Sequence, residues 1–249
     1  MAANGWNRDQ LLMALRLYMR LPFGKLHAKN PEIIALAERI GRSPAALAMK
    51  ACNFASIDPN LNRRGLSGAS NADRAIWNEF AANPTALAIE AEEAAARFEA
   101  MIPDTEEPFR LPTGPTEKVS LVRIRLVQSF FRASVLNSYD FRCAISGIAL
   151  PELLTASHII PWSDSVERRA DPTNGLCLNA LFDRAFDRGF IAFDDANRVM
   201  VSKYLAKSVE SAEFQCDLTA IAGKPLKVPK RFAPDPEALR KHRETIFRG

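Results

Sequence analysis

The chain has 249 residues, 47% apolar and 25% charged, which is enough apolar material to bury the core of one large domain or two small ones. That balance excludes the low-hydrophobicity, high-charge composition of a disordered chain. No apolar run approaches the ~18 residues of a spanning helix, and the start lacks a basic segment followed by an apolar one. The expectation is a soluble, cytoplasmic protein with no membrane partner. The formal charge of +4 conceals a pattern: residues 1–82 hold 11 basic against 6 acidic side chains, residues 83–107 hold 1 against 7, and residues 108–249 hold 21 against 16. Two basic bodies therefore flank one acidic insert.

In chain order, Asn7 is a plausible cap for a helix to Arg20 that carries Leu11, Leu12, Leu15, Leu17, Tyr18 and Met19. A second helical run, Pro31 to Ile40, stops at Gly41, where glycine makes a left-handed cap cheap. Ser43 then caps a third run from Pro44 to Phe54. Helix, short glycine turn and helix is the helix-turn-helix spacing. On that geometry Arg42, Lys50 and Asn53 are candidate DNA contacts, the cations to phosphate and Asn53 to an adenine edge. A plain helical bundle is the alternative. The stretch 84–102, rich in Ala and Glu, reads as one amphipathic helix. Four prolines within 103–115 predict an extended linker after it. The expected organisation is a helical module over 1–82, an acidic helix and linker over 83–116, and a C-terminal domain over 117–249.

Leu121 to Leu136 reads as a helix with a basic stripe, on which Arg125 and Arg132 are further candidates for nucleic-acid contact. Beyond it, a short strand ending at His158, a loop centred on Asn174 and a helix carrying Asp183 and Asp187 would form a β-β-α arrangement. The intervals are 16, 9 and 4 residues. Residues i and i+4 share one helix face, so the two carboxylates repel each other unless a cation lies between them. Oxygen donors suit a hard ion such as Mg²⁺ or Mn²⁺, one per site. His158 is then placed to act as general base on an attacking water, and Asn174 to orient the imidazole or pin the loop. Alternatively, the two acids pair with Arg184 and Arg188, and Gly189 is only a helix cap.

Ser157-His158-Ile159-Ile160-Pro161-Trp162, Asn174-Gly-Leu-Cys-Leu-Asn-Ala-Leu and Asp183-Arg-Ala-Phe-Asp-Arg-Gly189 resemble the HNH endonucleases, specifically their bacterial restriction branch. The resemblance spans about residues 117 to 200. It implies a metal-dependent nuclease cutting phosphodiester bonds, usually in DNA, with His158 at the general-base position and Asn174 at the middle Asn. Asp183 falls at or next to the final ligand. Two departures stand out: Ser157 occupies a position where many such nucleases have Asp or His, and Phe182 one where related sequences often have His. The phrase from Ile40 to Pro59 also resembles, over about twenty residues, helical modules preceding nuclease domains in bacterial restriction enzymes.

Cys52, Cys143, Cys177 and Cys216 are too scattered for a zinc held by four cysteines. Reduced thiols are expected. After a strand-like run from Val199, Lys230 and Arg231 in a basic tail are candidate DNA contacts, and Pro234 to Phe247 reads as a final helix with His242 exposed on it. The whole reads as an α+β protein: a helical N-terminal module followed by a ββα-metal nuclease domain that hydrolyses DNA, in host defence by restriction. A homodimer would suit double-strand cleavage. The rivals are a DNA-binding protein whose nuclease unit has decayed and a toxin-like nuclease.

Overall fold

A capping box starts the first helix. Asn7 accepts from the Gln10 amide while the Gln10 side chain accepts from the Asn7 amide, and α1 runs from Arg8 to Arg20. The computed structural model describes residues 5–59, 61, 68–100, 117–207 and 220–249. The expected linker at 103–115 lies outside the described residues, as does Cys216. The chain forms two compact units, Met1–Ala133 and Ser134–Gly249.

In the first unit α1 is apolar nearly all round, with Leu12, Met13, Leu15 and Tyr18 fully buried, the pattern of a helix enclosed by others. Next come α2 (Pro31–Arg39), which packs on α3 (Pro44–Ile57), and α4 (Asn71–Ala82) and α5 (Pro84–Ala100), which with α3 pack against α1. Asn30 and Ser43 cap α2 and α3, each followed by proline in the first turn, and Gly41 between them sits at φ +67°. Helix α4 has no counterpart among the sequence expectations; Ser70 and Asp73 form a second capping box at its start. Ion pairs tie α5 to α1: Glu90 pairs with Arg8, Glu92 with Arg16, and Arg97 with Asp9.

Helix α6 (Glu117–Ser138) leads into the second unit. There β1 (Leu154–His158) pairs antiparallel with β2 (Gly175–Asn179), in a register that sets His158 opposite Gly175. Every residue of β2 is buried, because the Cys143–Ala144 loop covers its other edge through an Ala144 amide to Cys177 carbonyl bond of 2.7 Å. Helix α7 (Ala180–Asp187) follows at once, capped by the Asn179 side chain. It ends at Gly189, φ +71°, where the Phe190 amide reaches back to the Ala185 carbonyl. The small pair β3 (Ile191–Phe193) and β4 (Val199–Val201) comes next. The strand-like run at 199–205 is shorter than expected, for Ser202 accepts from the Tyr204 amide and opens α8 (Lys203–Lys207). Helix α9 (Pro236–Thr245) closes the unit. The architecture is α+β, as expected: a helical N-terminal region, then a small strand-containing one.

Candidate active site

The antiparallel pair carries His158 and Asn174 to one end of the hairpin, and α7 leaves β2 so that Asp183 and Asp187 face the same space. A cavity of about 490 Å³ opens there, lined among others by Ser157, His158, Trp162, Asp183, Arg184, Asp187, Arg188 and His242.

Asn174 is buried, and it pins the segment after β1. Its Oδ1 accepts from the Ile160 amide (2.8 Å), and its Nδ2 donates to the Ile160 carbonyl (3.2 Å) and the Arg168 carbonyl (3.4 Å). Of the two roles the sequence left open, the geometry is that of loop pinning. The Arg169 carbonyl, 3.0 Å from His158 Nε2, is what engages the imidazole. A carbonyl oxygen only accepts, so Nε2 carries the proton in that bond and the lone pair belongs to Nδ1. The Trp162 ring stands edge-on to the imidazole at 5.6 Å, and the Arg169 guanidinium lies 4.7 Å over that indole. Burial holds His158 below the ordinary histidine range; the bond to the Arg169 carbonyl opposes this, and the Arg169 charge reinforces it.

Asp183 and Asp187 both sit above the usual carboxylate range. Partial desolvation is the main cause for each, although Asp187 is the more exposed of the two, and for Asp187 the charge of Asp183 adds to it. Arg184 counters both shifts, and Arg188 counters that of Asp187. The Ser157 hydroxyl is buried without a hydrogen bond of normal geometry, yet faces the two carboxylates closely enough to favour their charged forms. Two carboxylates that resist ionisation side by side, with an unsatisfied hydroxyl against them, form an all-oxygen donor set that a hard divalent cation would satisfy. Among the described residues no group of three or more His, Cys, Asp or Glu side chains comes together as a metal site, so water and substrate oxygens would complete the coordination.

Two features of the site differ from expectation. His242, expected to be exposed, is 2% exposed and lines the cavity. Its Nε2 donates to the Phe186 carbonyl (3.1 Å) and its ring stacks on the Phe186 ring at 3.7 Å and 4°. Its sequence neighbours, Arg240, Lys241 and Arg243, are charged, and that concealed the burial. The second concerns Arg184 and Arg188: among the described residues neither forms an ion pair with Asp183 or Asp187, although Arg184 and Asp187 stand three residues apart, and the arginines act on the carboxylates through their charge. Phe182 is buried in the core beside the site, outside the cavity lining.

The candidate DNA contacts divide. Lys50 and Asn53 are buried, and both are taken up by Asp73: Lys50 Nζ lies 3.0 Å from one carboxylate oxygen, and Asn53 Nδ2 lies 3.1 Å from the other. Arg42 bonds to the Gly5 carbonyl and the Gln10 side chain and lies over Trp6. Arg231 is buried against Phe232. Lys50, Asn53 and Arg231 are buried inside the fold, which corrects the reading of them as open phosphate or base contacts, whereas Arg42 is half-buried. Arg125, Arg132 and Lys230 are exposed. Among the described residues Cys52, Cys143 and Cys177 form no disulfide.

No helix among the described residues is long and apolar enough to cross a membrane. No curated protein matches the chain. Residues 143–194, which run from the loop covering β2 to the turn after β3, match the family model described as HNH endonuclease.

Proposed function

Since residues 143–194 carry an HNH endonuclease segment, a family of nucleases that generally use a divalent metal ion, we propose that this chain hydrolyses phosphodiester bonds in DNA. The observation that carries the reading is the convergence of one neutral imidazole and two one-turn-apart carboxylates on a single cavity. His158, kept unprotonated by burial, takes a proton at Nδ1 from the water that attacks phosphorus. The P–O bond to the leaving oxygen breaks as the new one forms, and that oxygen is protonated from solvent. The Arg169 carbonyl holds the imidazole in the tautomer this requires, and Asn174 holds the loop bearing that carbonyl. Asp183 and Asp187 would hold the divalent ion, with Ser157 beside them. When bound, it stabilises the negative charge gathering on the phosphate and on the leaving oxygen. A role in host defence by restriction fits a nuclease segment joined to a helical unit, and rests on resemblance.

The test is cleavage of supercoiled plasmid, modified and unmodified, in EDTA, Mg²⁺ and Mn²⁺, with the native chain beside His158→Ala. Nicking or linearisation that needs metal, and that falls by about 10²–10⁴-fold in the variant, is the expected result. DNA binding with no cleavage under any condition overturns it in favour of a decayed, non-catalytic binding protein.

A further inference from the structure

Asp183 and Asp187 are not the only charged pair that α7 offers to the cavity. Arg184 and Arg188 line it too, one residue further along, so a row of guanidiniums runs beside the row of carboxylates. Four residues of helix rise about 6 Å, and both arginines are exposed. No ion pair or side-chain hydrogen bond consumes either of them among the described residues. Several other arginines in this unit are engaged: Arg168 bridges Asp171 and Asp235, Arg240 bridges Glu237 and Glu244, and Arg243 pairs with Asp195. Arg184 and Arg188 instead present their guanidiniums at a cavity that also holds the base.

Charge indicates what they are open to. With both histidines neutral, the two carboxylates and two guanidiniums of the lining cancel. A divalent cation on the carboxylates leaves the cavity with two net positive charges, which matches two phosphodiester monoanions. Guanidinium forks suit phosphate oxygens geometrically as well.

We infer that Arg184 and Arg188 form a phosphate-binding clamp for the nucleic-acid strand, gripping the backbone beside the phosphate under attack. The inference rests on the nuclease reading above and assigns to α7 a second task. Its odd-numbered acids hold the cation, and its even-numbered arginines hold the strand. Orienting the backbone through two contacts one turn apart fixes which phosphate lies over His158.

The experiment measures the affinity of a fluorescein-labelled duplex oligonucleotide by anisotropy across a salt series in Mg²⁺. It uses the full chain carrying His158→Ala to prevent cleavage. Into that background go Arg184→Ala, Arg188→Ala, the double variant and the double lysine variant. Each alanine is expected to weaken binding alike on any sequence and to reduce the slope of log K against log salt by about one. The double variant loses about two, and lysine restores the slope because it keeps the charge. In the cleaving chain the same alanines raise KM far more than they change the Mn²⁺ concentration needed for half-activity. A different role, tuning the carboxylates alone, would leave the salt slope unchanged and shift the metal midpoint instead, and that outcome overturns the clamp. Circular dichroism verifies that the exposed substitutions leave the fold intact. Should the parent chain cleave while the arginine variants bind and cut as it does, the clamp alone falls. Should the parent neither bind nor cut, the nuclease reading falls with it.

Discussion

His242 donates from Nε2 to the carbonyl oxygen of Phe186, 3.1 Å away and 56 positions earlier in the chain. Phe186 directly precedes Asp187, so the last helix grips the element that carries both candidate metal ligands. The same helix is held at its start, where Asp235 pairs with Arg168 and its amide bonds to the Thr173 carbonyl. It is held again at its end, where the Arg248 amide bonds to the Gly189 carbonyl and Ser202 donates to the Arg248 carbonyl. Helix α9 thus braces the His158 loop on one side and α7 on the other, from outside the segment that matches the nuclease family. His242→Phe keeps the stacking and removes the donor; His242→Gln keeps a donor. The expected outcome is a folded Phe variant needing several-fold more Mn²⁺ for half-maximal cleavage, with Gln restoring most of the difference. Equal metal midpoints for all three chains would reduce His242 to core packing.

The buried imidazole also predicts how stability depends on pH. Burial lowers His242 from the ordinary 6.5 to about 4, so the unfolded chain binds a proton that the folded chain refuses. Its contribution is complete above pH 6.5 and is lost as pH falls toward 4, up to about 3 kcal/mol. His158, also lowered by burial, acts in the same direction. Asp183 and Asp187 act oppositely: their raised values mean the folded chain holds protons more tightly, which adds stability as pH falls through them. Urea midpoints between pH 7 and 4.5 are expected to fall for the native chain and to fall less for His242→Phe. A variant at least as acid-sensitive as the parent would contradict the assignment.

Gly189 fixes the turn that this brace seizes. It sits at φ +71°, and a Cβ there would run into the Ile246 carbonyl. Gly189→Ala therefore meets both backbone strain and a backbone clash, neither of which a rotamer change relieves. A loss of about 2 kcal/mol or more is expected in thermal unfolding, together with a larger metal requirement. An alanine variant as stable as the parent would show that the chain end is free to move away.

Asn174 tests the loop side of the cavity. Alanine there removes the acceptor for the Ile160 amide and the donor to two carbonyls, at a cost of about 1–3 kcal/mol for the groups left unpaired. The Arg169 carbonyl then loses its support and His158 its fixed tautomer, so kcat is expected to drop at least tenfold with DNA affinity little changed. A drop in affinity with kcat preserved would instead make Asn174 a substrate contact.

Much of this was legible in the chain because local chemistry dictates it. Asn7, Ser43 and the prolines after Asn30 and Ser43 announce helix starts, Gly41 and Gly189 announce stops, and His158, Asp183 and Asp187 meet in one cavity with Asn174 buried behind it. What stayed hidden depends on contacts between distant residues. His242 looks like one more polar residue on a charged helix until Phe186 is set against it. Helix α4 was passed over, since its apolar face rests on only Ile76, Trp77 and Phe80. Lys50 and Asn53, so suggestive on a helix after a glycine turn, face Asp73, a residue with 0% exposure that no spacing rule connects to them.

That last arrangement yields a prediction against the helix-turn-helix reading of the first unit. Asp73 accepts from Lys50, from Asn53 and from the Ser70 amide, so the three side chains close a buried polar cluster between α3 and α4. Lys50→Met leaves a buried carboxylate without its cation, a change that costs about 3 kcal/mol in comparable buried pairs. Because the ammonium never reaches solvent phosphate, the affinity for duplex DNA and its salt slope are expected to match those of the parent at a temperature where both chains are folded. Chemical unfolding and anisotropy on the same samples separate the two effects. A variant with unchanged stability and a salt slope reduced by about one would mean that Lys50 leaves Asp73 to bind phosphate and that the first unit reads DNA after all.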